Sequence, residues 1–352
     1  MPASLHRRLL AWYDAHKRAM PWRGHPDPYA VWVSEIMLQQ TQVDTVRAYF
    51  VRFLDAFPTV AALAAAPQQD VLKAWEGLGY YTRARNLQKA AQSLAARGAP
   101  LPHTAAGWAE LPGVGPYTAA AIASICFGER APVVDGNVIR VFARFLGRTD
   151  DFRKPPARAA LAAWLQPHID ASRRPGDFNQ AMMDLGATLC TPHAPACDRC
   201  PLRYDCFARR KGRQSGLPVK PPKKETPTRA AAAALVRDAD GRVLFTRRAD
   251  EGLLSGLWEL PSRFVARRAT GRDALNALRE QAGLDAPHAR PLGTITHVFS
   301  HFKLLLHVFA VAPETAARTA PVPETDARFA VPDDLPLTTA TRRALERFAS
   351  RV

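Results

Sequence analysis

A single acid sits inside an otherwise apolar and amide-bearing stretch, Val31-Trp-Val-Ser-Glu35-Ile-Met-Leu-Gln39-Gln40-Thr-Gln42. Steps of four and three place Glu35, Gln39 and Gln42 on one face of a helix. A carboxyl group in low-dielectric surroundings has its pKa raised and can stay protonated near neutrality. That is the state a general acid needs to hand a proton to a leaving group. A structurally satisfied glutamate, or one on the polar face, fits the same run. A second acid, Asp135, opens Asp135-Gly136-Asn137-Val-Ile-Arg-Val-Phe. At that place Asp is a favoured helix N-cap. It could equally face a cationic reaction centre, which a nearby anion stabilises. Two carboxylates in divided roles is the logic of glycoside hydrolysis.

Four thiols offer a different chemistry. Cys190, Cys197, Cys200 and Cys206 fall within one short loop in C-x6-C-x2-C-x5-C order. Cys126 stands apart in AIASICF and reads as a small buried hydrophobe. The loop reads as a metal site and not a disulfide clasp. Zinc sites usually show two C-x2-C pairs, and here only Cys197 and Cys200 form one. The unequal spacing favours an iron–sulfur cluster, with four-thiolate zinc as the alternative. Arg199 and Arg203 in the loop suit phosphate contact. Leu111-Pro-Gly113-Val114-Gly115-Pro-Tyr117 is a tight turn that enters an alanine-rich helix. It lacks the Lys-Ser/Thr ending of a P-loop, so nucleoside triphosphate binding of that kind is not expected. Glycines let the backbone approach a ligand, and N–H groups at a helix N-terminus suit a phosphate oxygen without reading any base. A plain helix-to-helix connection uses the same residues.

The elements that must hold these groups follow from the pattern of the whole chain. The 352 residues carry a net charge of +16, which favours a polyanionic partner, nucleic acid first. Residues 1–228 hold +12 of that charge and residues 229–352 hold +4, so the first part is the polyanion-binding side. Apolar residues at three and four spacing, such as Ile36, Val43, Val46, Phe50 and Phe53, make residues 1–207 mostly helical. Residues 208–228 are basic and Pro-rich and read as an extended surface linker. Beyond it AAAALVRDADGRVLFTRR reads as strand, Asp-Gly turn, strand. GRDALNALREQAGL reads as a helix, ARPLGTITHVFSHFKLLLHVFAVAP as two strands around Ser300-His301, and TTATRRALERFAS as a closing helix. No run approaches the roughly 18 apolar residues of a membrane span, and the N-terminal stretch has no signal-peptide core. A cytoplasmic monomer is expected, nucleoid-associated if the chain is bacterial, with no membrane partner.

The LPGVG turn, Asp135 about 20 residues later and then the cysteine loop 190–206 resemble, in that order, the helix-hairpin-helix superfamily of DNA glycosylases. The cysteine spacing resembles the [4Fe–4S] loop of its endonuclease III and MutY branch. WVSEIMLQQTQV resembles the catalytic helix of MutY-type adenine DNA glycosylases. The resemblance implies that Glu35 protonates the departing base at N7 and then helps water attack. It implies that Asp135 steadies the cationic sugar and that Asn137 orients water or Asp135. Gln40 and Tyr80 would insert into the base stack, and Leu111, Gly113, Val114 and Gly115 would contact DNA. Bifunctional members carry a lysine where this chain has Tyr117, and a phenol has no comparable route to an imine. Tyr117 would then place its hydroxyl near the reacting sugar, or only pack.

The C-terminal part resembles a Nudix fold, with GLLSGLWELP before the NALREQAGL helix. That helix offers Glu280 but has Gln281, Asn276 and Ala277 where further carboxylates would be needed. One carboxylate is a poor magnesium site, so recognition and not pyrophosphate hydrolysis is expected. Phe299-Ser300-His301 resembles the MutY loop that reads 8-oxoguanine in the opposite strand, and an ordinary strand turn fits as well. The expected fold is therefore multidomain: an all-α helix-hairpin-helix glycosylase domain with an iron–sulfur loop (1–207), the linker (208–228) and an α+β Nudix-like domain (229–352). The implied activity is monofunctional adenine release from duplex DNA with adenine opposite 8-oxoguanine or guanine. A bifunctional glycosylase/lyase and a non-catalytic DNA-binding protein are the alternatives.

Overall fold

The computed structural model describes residues 2–219, 225–266, 269–313, 316–318, 323 and 326–351. The chain forms two compact units, Met1–Ala65 with Asn86–Pro222, and Ala66–Arg85 with Lys223–Val352. In chain order the helices up to residue 210 are α1 (Pro2–His16), α2 (Pro28–Leu38), α3 (Val43–Ala56), α4 (Val60–Ala65), α5 (Gln68–Ala74), α6 (Thr82–Arg97), α7 (Ala105–Ala109), α8 (Pro116–Phe127), α9 (Gly136–Leu146), α10 (Pro155–Asp170), α11 (Pro175–Thr188) and α12 (Phe207–Arg210). Among the described residues none is long and apolar enough to cross a membrane.

In the first unit, α1, α9, α10 and α11 surround an apolar core that includes Leu9, Tyr13, Phe142, Leu161, Phe178 and Leu185. α2 starts where the Asp27 side chain accepts the Tyr29 N–H, with Pro28 in the first turn, a favoured cap and a preset φ. Every residue from Tyr29 to Met37 is buried, as a helix apolar on all sides must be. Its Trp32 meets Trp108 of α7 edge to face at 5.4 Å. The expected helix face carrying Glu35, Gln39 and Gln42 does not form. α2 ends at Leu38, Gln40 turns to φ 59°, and Gln42 caps α3. A left-handed residue cannot continue a right-handed helix, and the Gln39 amide instead donates to Thr118 Oγ1 at 3.1 Å. Cys126, expected to be buried, is partly exposed.

The boundaries also differ from the sequence reading. Ala208 and Leu217 are buried, and Arg144 Nε donates to the carbonyls of Gln214 and Leu217. The first half of the expected linker is thus packed on the helical unit; residues 220–224 lie outside the described residues. Residues 66–85 group with the C-terminal part. Trp258 Nε1 donates to Gln69 Oε1 at 2.9 Å, Gln69 donates to the Gly256 carbonyl at 3.0 Å, and Arg342 pairs with Glu76 at 2.7 Å. Such partners are distant in sequence and leave no local pattern.

The second unit has a four-stranded sheet ordered β4 (Ser262–Val265), β1 (Thr228–Val236), β7 (Lys303–Val311) and β6 (Arg290–Val298). β1 and β7 are parallel, and the other pairs are antiparallel. A three-stranded sheet is ordered β3 (Trp258–Glu259), β2 (Val243–Arg247) and β9 (Ala327–Ala330), and β5 (Leu284–Asp285) pairs with β8 (Ala317–Arg318). The strands predicted on either side of Asp240-Gly241 exist, but they share only an isolated bridge, Arg237 to Val243, before entering different sheets. α13 (Gly271–Ala282) packs on β1 and β4, and α14 (Thr339–Phe348) packs on β6. Glu280 of α13 pairs with Arg263 at 2.9 Å.

Candidate active site

α2 and α8 bring Glu35 and Tyr117 together. Gly115 caps α8 and Pro116 occupies its first turn, so the Tyr117 hydroxyl reaches Glu35 and donates to Oε2 at 2.8 Å. The same hydroxyl lies 3.6 Å from the Met183 sulfur. Glu35 is 4% exposed. Desolvation pushes its carboxyl up from 4.5 to about 7, against the opposing effect of the Tyr117 hydrogen bond. Near neutrality this group has a proton to give.

Asp135 caps α9, accepting the Val138 N–H at 2.7 Å on Oδ1 and the Asn137 amide at 2.9 Å on Oδ2. This is the helix N-cap, one of the two readings that the sequence offered for this acid. Burial raises its pKa and the hydrogen bonds from Val138 and Asn137 lower it. Asn137 is itself fixed: its Oδ1 accepts from Arg140 at 2.7 Å. A side chain at Gly186 of α11 would come within 2.6 Å of Asn137 Cβ, so α9 and α11 approach closely here. Arg140 also donates to the Cys190 carbonyl at 2.7 Å and the Gly186 carbonyl at 2.8 Å.

Sequence reasoning missed a buried ion-pair group in the same helical unit. Asp184, a buried acid of α11, accepts from Arg18 at 2.5 Å and Arg23 at 2.7 Å. Arg23 also donates to Gln180 Oε1 at 3.0 Å, and its charge lowers the Glu35 pKa. The signal was local, an acid whose immediate neighbours, Ala181-Met-Met-Asp184-Leu-Gly-Ala187, are apolar or small. Arg140 lies one turn beyond Asn137, within reach along the helix.

The other predicted residues fall in separate groups. Leu111 and Val114 are buried, whereas Gly113 and Gly115 are exposed, so only this turn's backbone can serve a phosphate. Gly113 has φ 78°, and a side chain there would meet Asn86 Cβ at 2.7 Å. Gln40 is exposed, as is Tyr80 in the second unit, and both hold left-handed backbone at φ 59° and 47°. Non-glycine residues in that region are strained and cluster at functional sites. Also within the second unit, Tyr80 and Ser300 hydroxyls hydrogen-bond at 2.8 Å. Phe299 stacks on Phe302 at 4.7 Å and anchors a turn whose Ser300 and His301 are exposed.

Cys190, Cys197, Cys200 and Cys206 line one small cavity with Arg144 and Gln214. Burial pushes the Cys200 thiol up to about 11. Among the described residues, no three His, Cys, Asp or Glu side chains form a group that could hold a metal ion. Four thiols around one cavity are the soft donor set that an iron–sulfur cluster or a zinc ion takes.

The buried acid has a consequence for stability. Its pKa is raised on folding, so its contribution is fully present below about 4.5 and is lost as pH rises through about 7. That gap, at about 1.4 kcal/mol per pH unit, is worth up to about 3 kcal/mol. Glu35→Gln removes the charge that must be buried at alkaline pH. The variant should be more stable than wild type at pH 8 by up to about 3 kcal/mol, with little difference at pH 5, measured by urea unfolding. An equal effect at both pH values would contradict the burial account.

Comparison with known proteins shows the family. Residues 33–167 match the HhH-GPD superfamily base excision DNA repair protein family, and residues 232–347 match the NUDIX domain family. The adenine DNA glycosylase of Homo sapiens is 38% identical over 90% of this chain and 68% of its own length. That of Rattus norvegicus is 39% identical over 88% and 70%. Among solved structures, a thermostable thymine-DNA glycosylase superposes with a TM-score of 0.54 at 26% identity, covering 60% of this chain and 97% of its own. Endonuclease III in a non-covalent DNA complex gives 0.51 at 22%, covering 60% and 98%, which shows a shared fold. With both domains matched and these relatives aligned over most of its length, the chain belongs to the adenine DNA glycosylase family.

Proposed function

We propose that this monofunctional adenine DNA glycosylase, an enzyme of base excision repair, releases adenine mispaired with 8-oxoguanine or guanine in duplex DNA. The observation that carries the mechanism is the protonated-range carboxyl of Glu35 held by the Tyr117 hydroxyl at 2.8 Å. Glu35 gives its proton to the departing adenine at N7 as the base–sugar bond breaks, and the bonding electrons leave with the base. Asp135 faces the positive charge left on the sugar. Water then adds to C1′ and its proton passes to the Glu35 carboxylate, which restores the acid. Tyr117 stands where a lyase would need an amine, so the sugar is left intact and the strand is not cut.

The partner is duplex DNA, bound by a monomer in the cytoplasm, at the nucleoid if the chain is bacterial. The Gly113–Gly115 backbone serves a phosphate, and Gln40 and Tyr80 enter the base stack, the usual device for extruding a target base. Ser300 and His301 read the N7–H and C8 oxygen of 8-oxoguanine. Cys190, Cys197, Cys200 and Cys206 would hold a [4Fe–4S] cluster, which supplies a fixed framework for the 190–206 loop.

Single-turnover assays on a duplex with adenine opposite 8-oxoguanine should give strand breaks only after hot alkali. Breaks without alkali would mean a lyase. Glu35→Gln should slow base release by at least about 10²-fold while DNA affinity stays near wild type; unchanged release would sink the general-acid role. Ser300→Ala should lose about 1–2 kcal/mol of discrimination between 8-oxoguanine and guanine, read as the ratio of the two rates. An unchanged ratio would remove Ser300 from lesion reading.

A further inference from the structure

Arg144, near the end of α9, is 3% exposed. A guanidinium taken out of water is costly unless an anion compensates it. Asp184 does this for Arg18 and Arg23, but Arg144 has no carboxylate among the described residues. Its partners are the carbonyls of Gln214 (2.9 Å), Leu217 (3.0 Å), Cys190 (3.3 Å), Thr191 (2.7 Å) and Pro192 (3.1 Å), and the Cys190 sulfur at 3.4 Å. Carbonyl dipoles satisfy its N–H groups and leave its formal charge in place. That charge lines the same cavity as all four cysteines, beside Arg203 and Arg209, and of the three arginines Arg144 is the buried one. The segment it holds adds a contact of its own, since the Gln214 amide donates to the Cys197 sulfur at 3.8 Å.

We propose that Arg144 is the buried counter-cation of the cysteine cavity and the latch that holds residues 214–217 over it. The proposal rests on the [4Fe–4S] reading above. A cluster ligated by four thiolates has net negative charge, and its potential responds to nearby charge and to hydrogen bonds on its sulfurs. Arg144 supplies the opposite charge, one sulfur hydrogen bond directly, and a second through the segment it fastens. It is a positioning residue: filling the cavity favours the docked segment, and the docked segment shields the filled cavity.

The test uses full-length wild type, Arg144→Gln and Arg144→Lys. Iron and acid-labile sulfide per chain, the reduction potential by voltammetry, and hydrogen exchange of the 214–217 amides are measured on each. Arg144→Gln should lose iron to a chelator several-fold faster, shift the potential to more negative values because a neighbouring positive charge is gone, and exchange faster over 214–217. Arg144→Lys keeps the charge without the planar fork. It should hold its potential close to wild type while 214–217 exchanges faster, and it carries the test if the Gln variant does not fold. Wild-type iron retention, potential and exchange in Arg144→Gln would overturn the proposal, as would a Lys variant whose potential falls as far as that of Gln. A wild-type chain that takes up no iron would overturn the cofactor reading itself, and this proposal with it.

Discussion

One hydrogen bond, from the Tyr117 hydroxyl to a Glu35 carboxyl kept from water, sets the terms for the helical unit. Low dielectric is what holds a proton on that acid near neutrality, and low dielectric must be built from apolar residues on every side. That is why α2 is buried from Tyr29 to Met37 and why it begins with a firm cap. It is also why α8 is entered through a Gly-Pro turn: the turn delivers Tyr117 to the acid while its exposed glycines stay open to a phosphate. The hydroxyl pulls the Glu35 pKa down as burial pushes it up. The balance places the group where it can both give and recover a proton, the condition for general acid catalysis.

Asp135 is the counterpart. It is partly buried, and Val138 and Asn137 donate to its two oxygens; such bonds favour the anion. Burial raises the pKa of both carboxyls, and Asp135 receives two donors against the one that Glu35 receives from Tyr117. The orientation of Asn137 depends in turn on Arg140, and Arg140 on the Cys190 carbonyl. The hydrogen bonds that orient the second carboxylate therefore run without a break into the cysteine loop.

The chemistry was more legible in the sequence than the arrangement that supports it. An acid in an apolar run, an Asp before a helix and four cysteines at fixed spacing each announce a constraint that is local in the chain. Gln40 shows the limit. Periodicity extended its helix, but the tertiary bond from Gln39 to Thr118 and a left-handed backbone ended it. Residues 66–85 have ordinary helical composition, and only Gln69, Glu76 and their distant partners place them with the C-terminal sheets. The basic, Pro-rich stretch from residue 208 reads as solvated because few of its side chains are apolar, and Arg144 holds it by the Gln214 and Leu217 carbonyls, which no side-chain pattern reveals. Asp184, among apolar or small neighbours, went unread because its two arginines lie more than 150 residues away.

The central claim is that Glu35 is a neutral acid near physiological pH. Difference infrared spectroscopy of wild type against Glu35→Gln isolates this one carboxyl across a pH series. The account predicts a protonated carboxyl band at pH 6 that disappears around pH 7. A group already fully ionised at pH 6 would contradict it, and would leave the enzyme without the acid on which its mechanism rests.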